Sequence, residues 1–98
     1  MSCDFSLGAP YNIASYSILT MLLARTLNFG YGDFVYSLGD VHVYSNHYDK
    51  FKEQLTREIR PLPKLKINRR DSIYDYEFSD LKLEGYNPHP VISYPISV

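Results

Sequence analysis

The sequence predicts an α+β chain: one long helix packed on a mixed or antiparallel sheet, with a second, short amphipathic helix. Residues 11–29 carry an apolar run without strand periodicity, residues 34–46 and 64–83 contain segments that alternate apolar with polar side chains, and residues 47–58 repeat apolar side chains at helical spacing. With 98 residues, 45% hydrophobic and 21% charged, the chain has the composition of a globular domain and material for one modest core, which these segments are expected to share.

The long helix comes first. Pro10 suits an early helical position, and Ile13, Ala14, Tyr16, Ile18, Leu19, Met21, Leu22, Leu23, Ala24 and Leu27 follow before Gly30 and Gly32 stop the run, giving about five turns. Its polar members Ser15, Ser17, Thr20, Arg25, Thr26 and Asn28, laid out at about 100° per residue, scatter around the helix and leave no solvated stripe. A helix apolar all round is expected to be buried all round. A chain of this size buries only about two-thirds of its unfolded surface, so part of that cover is expected from outside it. A membrane span does not fit, because hydroxyls, Asn28 and Arg25 interrupt the run short of the ~20 continuous apolar residues a bilayer requires.

After the Tyr31-Gly32-Asp33 turn, residues 34–46 read as a long strand in which Gly39 marks a bulge or a close backbone approach. Residues 47–58 form the short helix, with Tyr48, Phe51 and Leu55 on one face and Asp49, Lys50, Glu53 and Arg57 outward, ended by Pro61 and Pro63. Residues 64–68 alternate Leu65 and Ile67 with lysines as a half-buried strand, residues 73–78 predict another, and Leu81-Lys82-Leu83 alternates again. From Gly85 onward Pro88, Pro90 and Pro95 exclude a regular interior element and predict an ordered loop or extended arm.

A formal net charge of -1 without a basic face argues against a general nucleic-acid or membrane-surface binder. Lys64, Lys66, Arg69 and Arg70 form the one local basic cluster, which suits an ordinary solvated strand and turn better than a phosphate patch. Cys3 is the single cysteine, so an internal disulfide is impossible and a reducing compartment fits. The N-terminus lacks a charged lead and apolar signal core, and the expected location is the cytoplasm. His42, His47 and His89 make no metal-ligand motif, and no metal is expected.

The chemistry concentrates in Gly39-Asp40-Val41-His42-Val43-Tyr44-Ser45-Asn46-His47. Alternation puts Asp40, His42, Tyr44 and Asn46 on one face and Val41 and Val43 on the other. An imidazole and a phenol about 7 Å apart along a strand can both reach one hydroxyl of a bound sugar, while the alternative is a half-exposed strand with its polar side in water. Asn12, at the mouth of the long helix, offers a donor and an acceptor in one plane, which matches the C4 carbonyl and N3 proton of uracil; the alternative is a helix cap.

That block, together with Leu7-Gly8-Ala9-Pro10-Tyr11-Asn12-Ile13-Ala14-Ser15-Tyr16, Arg57-Glu58-Ile59-Arg60-Pro61-Leu62-Pro63-Lys64-Leu65 and Glu84-Gly85-Tyr86-Asn87-Pro88-His89-Pro90, resembles the C-terminal part of thymidylate synthase, in the same order and at similar spacing. The resemblance runs from Ser2 to Val98 and implies that residues 1–98 are a single partial domain of the family's catalytic unit. It implies a dUMP site in which Ser2 contacts the phosphate, Cys3 neighbours it, Asp4 serves uracil and pterin, Asn12 reads the base, and His42 and Tyr44 hold the 3′-hydroxyl. For the folate cosubstrate, 5,10-methylenetetrahydrofolate, it implies Asp4, a wall of Leu7, Gly8 and Tyr11, and a closing tail with Ser97 at the contact. Core packing is an equal account of Leu7 and Tyr11.

The departures matter as much. The family attacks C6 of dUMP with a cysteine from a Pro-Cys-His segment, and no such segment occurs here. Cys3 is followed by Asp4, and Met1 stands where the family has an arginine. The expectation is therefore the dUMP- and folate-binding portion of an enzyme making dTMP by reductive methylation, inactive alone. Its expected partner is an upstream part or a second subunit of a homodimer. A non-catalytic remnant or split-enzyme half, and a fragment of a pyrimidine deoxynucleotide hydroxymethylase, are the alternatives, with Asn12 favouring uracil over cytosine.

Overall fold

The computed structural model describes residues 2–96 and has the expected α+β character. In chain order the elements are β1 (Ser2–Asp4), α1 (Gly8–Leu27), β2 (Asp40–His42), α2 (Tyr48–Leu55), β3 (Lys64–Ile67) and β4 (Leu81–Glu84). They fall into two compact units. One holds residues up to Ser15, then Val35–Ile59 and the segment from His89 onward; the other holds Tyr16–Phe34 and Arg60–Pro88.

The expected sheet is realised as two separate two-stranded pieces. In the first unit β1 and β2 run parallel, with Ser2 opposite Asp40, Cys3 opposite Val41 and Asp4 opposite His42; the Phe5 amide extends the ladder to the His42 carbonyl at 2.9 Å. The long strand expected over residues 34–46 shrinks to Asp40–His42, the length over which β1, three residues long, pairs with it. Gly39 marks neither a bulge nor a close approach. Its carbonyl accepts from the Val41 amide at 3.1 Å, a three-residue turn that bends the chain into β2, and no atom lies within 4 Å of where its side chain would be. The short helix is shorter than 47–58: a 3-10 turn, Ser45–His47, leads into α2, and Phe51 meets Phe5 edge-on with centroids 5.8 Å apart.

In the second unit β3 and β4 are antiparallel, Leu65 facing Leu83 and Ile67 facing Leu81, and the half-buried alternation of β3 follows its sequence pattern. Lys66 stands directly opposite Lys82, an unfavourable pairing that Glu84 offsets by lying 3.4 Å from the first ammonium and 3.8 Å from the second. The strand expected over 73–78 does not form. Two 3-10 turns, Ile73–Asp75 and Phe78–Asp80, replace it because side chains bond the local backbone first: Ser72 Oγ accepts from the Tyr74 amide, and Asp80 Oδ2 accepts from the Glu77 amide at 2.9 Å. Tyr74 and Phe78, counted as strand residues by the pattern, are both 93% exposed. Arg70 forks onto Asp80 at 2.8 and 3.0 Å and closes the β3–β4 connection.

The helix α1 forms at the expected place, but this chain does not supply its burial. Among the described residues Ala9 and Ala24 are the only buried apolar ones, while Leu19, Leu23 and Leu27 are exposed. Its end is set at Asn28 and not by the glycines: Asn28 is left-handed (φ 57°), the Phe29 amide returns to the Ala24 carbonyl at 2.8 Å, and the Asn28 amide reaches Arg25 at 3.4 Å. That is the two-bond Schellman closure. No helix among the described residues is long and apolar enough to cross a membrane.

Candidate functional site

The residues singled out by the block at 39–47 meet the start of the chain in the first unit. Because β1 and β2 are parallel and in register, Asp4 lies beside His42. Two residues on, the chain leaves the strand in extended conformation at Tyr44, and the His42 and Tyr44 rings stand at 79° to each other with centroids 4.8 Å apart. The pair therefore sits together as the alternation required, although only His42 belongs to a strand. Cys3 is half-buried opposite Val41, and its thiol is free. Ser2 pairs with Asp40 in the ladder.

The tight step from β1 into α1 is organised by Asp4. Its Oδ1 accepts from Ser6 Oγ at 3.3 Å and from the Leu7 amide at 3.4 Å, satisfying a donor just ahead of the helix. Leu7 and Gly8 are half-buried at that entry. A methyl group at Gly8 would meet only Asp4 Cβ, at 3.6 Å, so packing within the chain does not require glycine there. Tyr11, 73% exposed, is no core residue of this chain, and Asn12, one turn beyond Gly8, is exposed on the helix outside the Asp4 network. Asn12 lies within the helix and not at its cap. Ser97, expected at the folate contact, lies outside the described residues.

The residue that sequence reasoning missed is His47. Its side chain is fully buried. Nδ1 is 2.7 Å from Ser6 Oγ and 3.8 Å from Asp4 Oδ1, Nε2 bonds the Pro95 carbonyl, and the rings of Tyr44 and Tyr94 pack on it at 5.5 and 5.0 Å. No local signal marked it: His47 stands in the 3-10 turn after the strand, beyond the alternation that assigned Val41 and Val43 to packing. Around it the segment from His89 is held as the expected arm. Lys50 donates to the Ser93 carbonyl, Arg57 to the Pro90 carbonyl at 2.7 Å, Tyr94 to Gln54 at 2.6 Å, and His89 to the Glu58 carbonyl at 2.8 Å. Burial and the neighbouring Glu53 push the Tyr94 phenol up. No group of three or more metal-ligating side chains occurs among the described residues.

A carboxylate, an imidazole and a phenol are thus gathered on and beside a short strand pair, groups that can donate to and accept from hydroxyl and N–H groups. A family model described as thymidylate synthase matches residues 1–98, and the chain belongs to the thymidylate synthase family. That family converts its nucleotide with methylenetetrahydrofolate as cosubstrate, which makes it a methyltransferase family of nucleotide biosynthesis.

Proposed function

We propose that this chain is the dUMP- and folate-contacting portion of a thymidylate synthase, acting in the reductive methylation of dUMP to dTMP. The observation that carries the proposal is the His42–Tyr44 pair set beside Asp4 by the parallel register of β1 and β2. His42 and Tyr44 together hold the 3′-hydroxyl of the deoxyribose, one donating while the other accepts. Asp4 accepts an N–H of the uracil or the pterin, Ser2 contacts the nucleotide phosphate, and Cys3 is its neighbour in that binding segment. Asn12 presents its carboxamide to the uracil edge; cytosine would leave both of its groups facing like partners, at roughly 1 to 3 kcal/mol each. Leu7, Gly8 and Tyr11 form the wall for the folate's aromatic portion. The room at Gly8 and the exposure of Tyr11 support it, since neither is explained by packing inside the chain.

The chain supplies binding and orientation, not the nucleophile. Its one thiol, on Cys3, precedes Asp4 and lacks the Pro-Cys-His setting. The attacking cysteine therefore comes from another polypeptide segment, and this chain alone forms no dTMP. Co-expression with a segment carrying Pro-Cys-His tests this: dTMP forms from dUMP and methylenetetrahydrofolate in the pair and in neither part alone. Asn12→Asp in the same pair shifts preference toward dCMP. Turnover by the chain alone would overturn the assignment of the nucleophile, and an unchanged base preference would remove Asn12 from the role given to it.

A further inference from the structure

Two segments distant in sequence end on the same buried imidazole. Nε2 of His47 faces the Pro95 carbonyl, and a carbonyl only accepts, so Nε2 carries a proton. In the neutral ring Nδ1 is then an acceptor, 2.7 Å from Ser6 Oγ. Ser6 is itself buried and has one hydroxyl proton for two acceptors, His47 Nδ1 and, at 3.3 Å, Asp4 Oδ1. The shorter contact favours the imidazole. Docking of the arm thus fixes the tautomer, the tautomer draws the Ser6 proton toward Nδ1, and the longer Ser6–Asp4 Oδ1 bond is weakened.

We infer that His47 is a positioning residue that couples Asp4 to the C-terminal arm through Ser6, so that a docked arm loosens the hold of the Ser6 hydroxyl on the Asp4 carboxylate. The consequence for ligands rests on the role proposed above for Asp4; the coupling itself does not. Because coupling is reciprocal, a change at Ser6 must be felt at the arm, to which it is linked through His47. The buried site makes this specific: no water-exposed route offers Nδ1 a substitute for the hydroxyl.

Hydrogen exchange on the full chain tests it, with the arm amides of residues 91–94 and 96 as readout and those of β3 and β4 as the control for folding. Ser6→Ala is expected to raise arm exchange roughly five- to tenfold, the loss of one neutral hydrogen bond, with β3 and β4 unchanged. Nitrogen-15 NMR of wild-type His47 is expected to show the proton on Nε2. Arm exchange equal to wild type in a folded Ser6→Ala chain, or a proton resting on Nδ1, would overturn the coupling. If the variant does not fold, the wild-type tautomer decides alone. Neither readout uses nucleotide or folate, so failure here is distinct from failure of the proposed function.

Discussion

The Asp80 carboxylate, only 3% exposed, accepts both arms of the Arg70 fork and the Glu77 amide, and its charged form is favoured in that order. These bonds hold its pKa at about 2, below the ordinary aspartate value. A carboxylate with a depressed folded-state pKa adds stability that is fully present above its unfolded value of 3.8 and is lost as pH falls through about 2. The urea midpoint of the chain is expected to drop across that acid window, with Asp80→Asn flattening the drop while lowering the midpoint at neutral pH. A midpoint equally acid-sensitive in Asp80→Asn would assign the effect to other carboxylates. The basic cluster is solvated as expected, with Lys64, Lys66, Arg69 and Arg70 all exposed, and Arg70 in addition clamps the buried acid.

At the scale of elements, the sequence was legible wherever local pattern and local bonding agree. The helix α1, the amphipathic α2, and β3 with its Leu65 and Ile67 alternation follow from spacing alone. It misled where a short-range side-chain bond decides, as at 73–78, where Ser72 and Asp80 capture amides, and at 34–38, which lies outside the short ladder of Asp40–His42. In the site, His42 and Tyr44 were visible because parity placed them, whereas His47 and Ser6 depend on a contact spanning 41 residues that no local pattern encodes. The end of α1 is a further case, and it yields a test. Asn28 occupies the left-handed position that a side chain with Cβ pays about 1–2 kcal/mol to enter unless it bonds locally. Asn28→Ala is expected to destabilise the chain by about 1 kcal/mol and Asn28→Gly to be neutral or mildly stabilising, as read from thermal midpoints. Equal losses in both variants would mean that the Asn28 amide side chain, and not its backbone conformation, ends the helix.

For the whole molecule, the deciding fact is that the long apolar helix finds so little cover in its own chain. Tyr16, Leu19, Leu23 and Leu27 are each between 42 and 59% exposed, and each two-stranded sheet leaves both strands with an open edge. Apolar faces and open edges of this kind are covered by other polypeptide in stable proteins, and a net charge of -1 gives little repulsion to keep copies apart. Under the function proposed above, the cover is the segment that carries the attacking cysteine. The isolated chain is therefore expected to self-associate, its sedimentation coefficient rising with concentration. Leu19→Lys with Leu23→Glu, both placed on the exposed helix, is expected to suppress that rise. The same double change is expected to abolish rescue of dTMP formation by a Pro-Cys-His segment, because the surface that drives association alone is the one that completes the enzyme. A wild-type chain that stays a monomer over a hundredfold concentration range, or a double variant that still rescues fully, would separate the two and show that the helix face is not where the missing part docks.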